Sequence, residues 1–386
     1  MDPKKNPYTP GAGIPPRDLV GRDELLTQME IEMHRTLNRL HGSSAFLVGL
    51  RGVGKTVLLK RLVRNSEEMG YVSVYVEAPE TGVFTAQLAT KFRKAILSLQ
   101  QNLRSKTKSI AMGVLGNFVV TFPEGISVRI DPNAPAGKAD SGVLAEDLAD
   151  LVVAAGMEVA EQGKGLIIAV DEVQYLKEEE LAAVIVAIHR ANQEELPVIF
   201  IGAGLPLLPR LVGEAKSYSE RLFQFYDVND LAPDAAKEAL TGPVESAGGN
   251  IEEAALEQLV AVTRCYPYFI QVWGRHTWDA AFGDTITAED VAAAEPLAIA
   301  SLDDSFFRVR MDRLTPVEVK YLRAMAELGP GPHRTGDIAN ELSVEATSVA
   351  PRRAALIHKG MLYSPSHGEI AFTVPMFDEF LRRILP

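Results

Sequence analysis

The chain has 386 residues, enough for two or three domains with separate cores. Hydrophobic residues at 47% and charged residues at 23% are ordinary for a globular protein, and the longest apolar runs are strand-sized, which excludes a helix across a membrane. A net charge of −12 excludes non-specific nucleic-acid binding by the whole surface, and the single cysteine, Cys265, excludes an internal disulfide.

Residues 1–16 are rich in Pro, Gly and Lys and read as a loose, flexible arm. The start, Met1-Asp2-Pro3-Lys4-Lys5, lacks the apolar stretch of a signal peptide, so a cytoplasmic location is expected. An amphipathic helix is expected from Leu19 toward Leu40, with Asp23 near its N-cap.

Ala45-Phe46-Leu47-Val48 is a strand-like run followed by Gly49-Leu50-Arg51-Gly52-Val53-Gly54-Lys55-Thr56 and then a helical pattern from Val57. This is G-x-x-x-x-G-K-[ST] between a strand and a helix. A chance match in a chain this long is on the order of one in a hundred. Gly49, Gly52, Val53 and Gly54 let backbone N–H groups wrap a phosphate chain. Lys55 reaches the β- and γ-phosphates, Thr56 places its hydroxyl on Mg²⁺, and Val57 continues the helix whose dipole favours the anion. ATP and Mg²⁺ are the expected ligands.

Tyr71–Val76 alternates and predicts the second strand, and a helix should follow from Thr85 to Leu103. Residues 104–142 read as an insertion. Arg104, Lys106 and Lys108 lead into a β-hairpin over 117–122 and 126–130, and a Pro/Gly-rich loop runs to Ser141. A helix from Val143 to Gln162 leads to Gly165–Val170, an unbroken apolar run that predicts a strand buried on both faces. It delivers Asp171 and Glu172 to the sheet edge where ligands of open α/β folds bind. Asp171 is placed to hold the Mg²⁺ shell, Glu172 to polarise a water, and Gln174 to sense the γ-phosphate side. Pro197–Gly204 predicts another buried strand, and Leu222–Tyr226 the last one, preceded by Arg221.

Taken in order, Val20-Gly21-Arg22, the 49–56 loop, Asp171-Glu172, the strand ending at Gly202 and Arg221 resemble the AAA+ ATPases. The likeness is greatest to their origin-recognition-like and signalling (STAND-type) branches. The resemblance implies an α/β fold, a P-loop NTPase with a five-stranded parallel sheet over 17–228, followed by a helical lid over 229–304. It implies that Arg22 lies against the adenine ring and that Arg221 is an arginine finger reaching the γ-phosphate of a neighbour in a homo-oligomer. Pro267 of Cys265-Tyr266-Pro267 matches the proline of a Gly-x-Pro that contacts nucleotide in signalling members, without its glycine. Arg264 or Arg275 would act as a second arginine sensor. The Gly202-Ala203 strand end lacks the usual polar sensor, which implies slow hydrolysis. Lid helices are expected over 234–240, 251–264, 268–282 and 288–299, the last with a Thr287/Asp290 capping box.

Residues 305–386 carry 11 Lys+Arg against 9 Asp+Glu, a net of +2 that leaves −14 for the rest. Thr315-Pro316 opens one helix toward Leu328, residues 334–342 a second, and Val349–Lys359 a third, closed by Gly360 as a C′ glycine. A hairpin around Pro365–Gly368 follows, so the pattern is that of a winged helix. If its third helix reads duplex DNA, Ser348, Arg352, Arg353 and Lys359 face bases and phosphates, with His367 at the wing tip. The expected function is an ATP-hydrolysing switch that binds DNA. The alternative is a signalling or defence regulator that oligomerises on nucleotide and binds protein partners through the same domain. A small-molecule kinase would leave lid and winged helix without a role.

Overall fold

The computed structural model describes residues 1–11, 13–99, 113–121, 127–129, 139 and 141–385. The chain divides into two compact units, one of residues 22–48 and 55–227, the other of residues 1–21, 49–54 and 228–386.

In the first unit the order is α1 (Asp23–Leu37), β1 (Ser44–Val48), α2 (Lys55–Glu68), β2 (Tyr71–Glu77), α3 (Phe84–Ser98), β3 (Val119–Thr121), β4 (Ser127–Arg129) and α4 (Leu144–Glu161). There follow β5 (Gly165–Asp171), α5 (Glu178–Gln193), β6 (Val198–Gly204), α6 (Leu208–Ala215) and β7 (Phe223–Asp227). Five strands form a parallel sheet in the order β2-β5-β6-β1-β7. Every residue of β1, β5 and β6 is buried. That burial explains the continuous apolar runs, since a parallel strand covered on both faces has no wet side to alternate with.

Phe46 anchors one face. Its ring lies 5.4 Å from Phe200, 4.8 Å from Phe223 and 5.4 Å from Phe225. The same ring covers Gly202, where an added Cβ would meet it at 2.5 Å. Gly202 is therefore a packing residue in mid-strand, and β6 continues to Gly204.

The expected hairpin is present as β3 and β4, paired antiparallel with Val120 opposite Val128. Its turn, the basic residues Arg104, Lys106 and Lys108, and most of the following loop lie outside the described residues. Where description resumes, the buried carboxylate of Asp147 accepts from the Ser141 N–H at 2.9 Å and hydroxyl at 2.7 Å and from the Gly142 N–H at 3.2 Å. These bonds satisfy donors at the entry to α4, which has no side-chain N-cap of its own.

The second unit contains α7 (Pro233–Ser246), β8 (Asn250–Ile251), α8 (Glu253–Thr263), α9 (Pro267–Ala280), β9 (Thr285–Ile286) and α10 (Ala288–Leu302). The Thr287/Asp290 capping box forms as expected. The first residues depart from expectation. Tyr8 is buried, donates its hydroxyl to the Leu240 carbonyl at 2.5 Å, and packs its ring on Gly274, where any side chain would clash. Trp278 Nε1 donates to the Asp2 carbonyl at 2.9 Å, and Asn6 donates to the Arg275 carbonyl and Asp279, both at 2.9 Å. The segment expected as a loose arm is thus docked on α7 and α9. A buried aromatic and several partnered polar groups outweigh its Pro/Gly composition.

A π-helical turn, Asp303–Phe307, joins α10 to α11 (Arg308–Met311). The C-terminal region has α12 (Pro316–Glu327), β10 (His333–Arg334), α13 (Thr335–Glu341), α14 (Ala346–His358), β11 (Leu362–Tyr363), β12 (Glu369–Phe372) and α15 (Phe377–Ile384). Its three strands order β10-β12-β11, antiparallel. Thr315 and Glu318 make a capping box, and Gly360 ends α14 at φ +66°. Strand β10 and helix α15 have no counterpart among the elements expected from the sequence pattern. Helix α15 buries Phe377, Phe380 and Leu381, and Phe307 lies 5.6 and 5.1 Å from the two phenylalanine rings.

Phe46→Ala should lower unfolding stability by about 3–5 kcal/mol, read as a shift of the urea midpoint, because three ring contacts are replaced by a cavity. Phe282→Ala, at a side chain that is 101% exposed, should leave the midpoint within experimental error.

Candidate functional site

The site begins where β1 ends. After Val48 the chain turns through the glycine loop, with Gly52 at φ +86° and Gly54 at φ +96°, a region of backbone space open to glycine and costly for other residues. Helix α2 starts at Lys55 and runs for 14 residues, so the loop ends on a helix N-terminus whose first N–H groups have no partner within the helix. Lys55 is 7% exposed.

Thr56 donates its hydroxyl to Asp171 Oδ2 at 2.7 Å. This bond joins the first turn of α2 to the end of β5 and is the central contact of the site. Asp171 is 1% exposed, and its other oxygen accepts the Glu172 N–H at 2.9 Å. Tyr75 on β2 also points its hydroxyl at Oδ2, 3.4 Å away. Burial pushes the Asp171 carboxyl above the usual carboxylate range. The Thr56 hydrogen bond opposes that shift, Glu172 reinforces it, and the Lys55 charge pulls it back. Burial likewise raises the Tyr75 phenol, with the Asp171 charge adding to it.

Glu172 has left-handed backbone angles, φ 52° and ψ 41°, which turn the chain from β5 into the 3₁₀ turn Val173–Tyr175. For a residue with a Cβ that conformation costs about 1–2 kcal/mol. The Glu172 carboxylate accepts a hydrogen bond from the Gln174 amide, and the Gln174 carbonyl accepts the Leu205 N–H at 3.1 Å, just beyond β6. Gly204 makes room, since a Cβ there would lie 2.8 Å from Gln174 Oε1.

Within the second unit, residues 49–54 have their own surroundings. A Cβ at Gly49 would lie 2.1 Å from the Val228 carbonyl, and one at Gly52 3.1 Å from the Tyr266 ring and 3.5 Å from Phe306. Tyr266 donates its hydroxyl to the Arg51 carbonyl, and Arg51 Nε reaches the Gly360 carbonyl at 3.4 Å. Phe306 stacks on Tyr268 at 4.5 Å and carries the Arg310 guanidinium 3.9 Å above its ring. Burial, and then the Arg51 charge, push the Arg310 guanidinium down to about 10. It therefore stays protonated at neutral pH.

Pro267 begins α9 at its N1 position. Cys265, two residues earlier, has a left-handed backbone at φ 57°, a conformation more usual for glycine. Of this cluster the sequence pattern marks Pro267 and neither Tyr266, Phe306 nor Arg310. Tyr266 stands in the same tripeptide, whereas Phe306 and Arg310 carry no local signal.

Arg22 is half-buried at the N-cap position of α1 and makes no side-chain cap, and Arg221 is exposed at the end of the turn Ser219–Arg221. Arg264 pairs with Glu379, and the Arg275 carbonyl accepts from Asn6. In the C-terminal region Lys359 and Arg353 each have partners within the domain. Lys359 binds Glu318 at 2.7 Å and the Arg313 carbonyl at 3.1 Å, while Arg353 binds Ser364 at 3.0 Å and the Glu369 carbonyl at 3.2 Å. Burial would raise the Glu318 carboxyl, but Lys359 and the Thr315 cap outweigh it and hold it below its ordinary range. Both cations thus bond to the domain's own groups, Arg353 half-buried and Lys359 exposed. Ser348 is exposed and bonded to the Glu345 carbonyl at 2.7 Å, Arg352 is half-buried, and His367 is exposed between β11 and β12.

The donor set suits Mg²⁺. One buried carboxylate and one hydroxyl converge within 2.7 Å, and Mg²⁺ characteristically takes one or two protein oxygens and fills its shell with water and phosphate oxygens. If Asp171 holds the ion it must be ionised, and Mg²⁺-dependent nucleotide affinity should then fall as pH drops through its raised pKa and level off above it. Titrations at several pH values should show that slope, and Asp171→Asn should abolish it.

Residues 18–201 match the family model of the AAA ATPase domain, and residues 304–381 match one described as a domain of unknown function. No curated protein matches the sequence. Among solved structures, the Walker-type ATPase PABY2304 of Pyrococcus abyssi is 15% identical at a TM-score of 0.62, with 95% of this chain and 97% of that chain covered. Cdc6p of Pyrobaculum aerophilum is 15% identical at 0.48, covering 100% and 99%. The RuvB Holliday junction branch migration motor of Thermotoga maritima is 15% identical at 0.46, covering 91% and 92%. At such identities the likeness concerns the fold, and the first of the three carries it. Residues 18–201 are therefore similar to the AAA ATPase domain, and the chain has an α/β fold with the parallel sheet of the AAA+ P-loop ATPases.

Proposed function

We propose that the protein binds ATP with Mg²⁺ and hydrolyses it as the trigger of a conformational switch. The observation that carries this reading is the 2.7 Å bond from the Thr56 hydroxyl to the buried Asp171, with Glu172 next in sequence. In this reading the loop N–H groups and Lys55 hold the phosphates, and Thr56 and Asp171 hold the metal. Bound Mg²⁺ offsets the charge of the β- and γ-phosphate oxygens. Glu172 orients a water and takes its proton as the water oxygen bonds to the γ-phosphorus. The bond from that phosphorus to the bridging oxygen breaks, and ADP leaves with the oxygen. Gly202, Ala203 and Gly204 offer no polar side chain at the end of β6, which supports slow turnover.

The C-terminal region supports a partner contact. Helices α12, α13 and α14 with the β10-β12-β11 sheet support a winged-helix reading, and we infer that α14 and the β11–β12 turn meet duplex DNA through Ser348, Arg352, Arg353, Lys359 and His367. A protein partner on the same face is the competing reading, and the internal bonding of Arg353 and Lys359 gives it weight.

Glu172→Gln should retain ATP while lowering turnover about 10²–10⁴-fold, measured by nucleotide retention on a filter and by phosphate release. Turnover equal to wild type would remove Glu172 from its role. For the partner, duplex-DNA binding at two salt concentrations should strengthen or weaken with ATP, and Arg352→Ala should reduce the salt slope by about one. DNA affinity indifferent to both would assign the domain to a protein partner.

A further inference from the structure

We propose that Gln174 is the positioning residue of this site, a side-chain amide that fixes the Glu172 carboxylate and stands in for the polar group missing from the end of β6. The inference rests on the ATPase reading above and concerns a residue two positions beyond the acidic pair.

The geometry is specific. The Gln174 amide has two ends, and each has a defined partner: Nε2 donates to Glu172 Oε2, and Oε1 accepts the Leu205 N–H at 3.1 Å. One end therefore holds a carboxylate, and the other is fixed to backbone that cannot move without disturbing the sheet. The 3₁₀ turn Val173–Tyr175 sets the spacing, with the Tyr175 N–H bonded back to the Glu172 carbonyl at 3.0 Å.

Space at the strand end is reserved for this amide. A Cβ at Gly204 would stand 2.8 Å from Gln174 Oε1 and 2.9 Å from Leu208 Cδ2. A serine, threonine or asparagine in β6 at that position would displace the glutamine. The two solutions exclude each other sterically, and this chain has adopted the one in which the amide arrives from the acidic strand's own turn.

The consequence for chemistry follows from hydrogen-bond direction. With Oε2 occupied by an amide donor, the Glu172 carboxylate loses rotational freedom and has Oε1 available to accept from a water. Glutamine is suited to this because it donates and accepts at once. A glutamate of equal size would accept only, and would put two carboxylates in contact. The ionisable groups around the pair are Asp171 beside it, Tyr75 and Glu77 on β2, and Lys55, which acts on Asp171.

The test uses the full-length protein and its steady-state ATP hydrolysis. Gln174→Leu, similar in volume but without the amide, should lower kcat about tenfold with KM within twofold. Gln174→Glu should lower kcat at least as far with KM again within twofold, because a carboxylate cannot donate to Glu172 and repels it. Gly204→Ala should reproduce the Gln174→Leu loss by expelling the amide, and should add nothing to it in the double variant. A residue that only supports the fold would show neither the loss confined to kcat nor this non-additivity. Wild-type kcat in both Gln174 variants would overturn the inference alone. If the parent protein shows no turnover that Lys55→Ala removes, the ATPase reading falls, and this inference with it. Should Gln174→Leu fail to fold, the isosteric Gln174→Glu carries the test.

Discussion

The hydrogen bond from Thr56 to Asp171 is the constraint on which the site depends. It links the first turn of α2 to the end of β5, two elements that are not neighbours in sequence or in the sheet, since β6 lies between β5 and β1. A carboxylate buried to 1% exposure has lost most of its hydration, and a hydroxyl, an N–H and a phenol around it compensate only in part. The site is thus formed around a charge for which water is no longer available, a surrounding that favours a divalent cation with its own water shell.

From that point the arrangement extends in two directions. Along the chain, the strained backbone at Glu172 and the turn after it bring Gln174 back toward the carboxylate it serves. Laterally, the glycines of β6 provide room, Gly202 for the Phe46 ring and Gly204 for the Gln174 amide. Two glycines in one strand would ordinarily weaken it. Here each is required by a neighbour that packs against the backbone, so the loss of side-chain contacts in β6 is matched by contacts that only glycine permits.

Much of the site's outline is legible in local sequence. The loop 49–56 and the strand 165–171 are short patterns: glycines at fixed offsets, a lysine and hydroxyl entering a helix, an apolar run ending in two carboxylates. The capping boxes at Thr287 and Thr315 and the C′ glycine at 360 are legible for the same reason, each being satisfied within a few residues. The docked start of the chain, the anchoring of Gln174 to the backbone beyond β6 and the internal partners of Arg353 and Lys359 are not. Tyr8 finds its partners more than 230 residues away, and Lys359 finds Glu318 on another helix, so no window of sequence contains both halves of either interaction.

The sequence by itself determined a phosphate-binding pattern over 49–56 and an acidic pair at a strand end, because short-range backbone chemistry demands those residue types at those offsets. It also determined most of the helices and strands, through periodicity. Tertiary structure decided the strand order β2-β5-β6-β1-β7, which gives Asp171 to Thr56 across an intervening strand, and decided which polar groups are engaged internally. The physical reason is that hydrogen bonds and close packing are pairwise and directional. A residue's role is fixed by the partner that folding brings to it, and for Phe46 with Gly202, or Gln174 with Gly204, that partner lies on another strand.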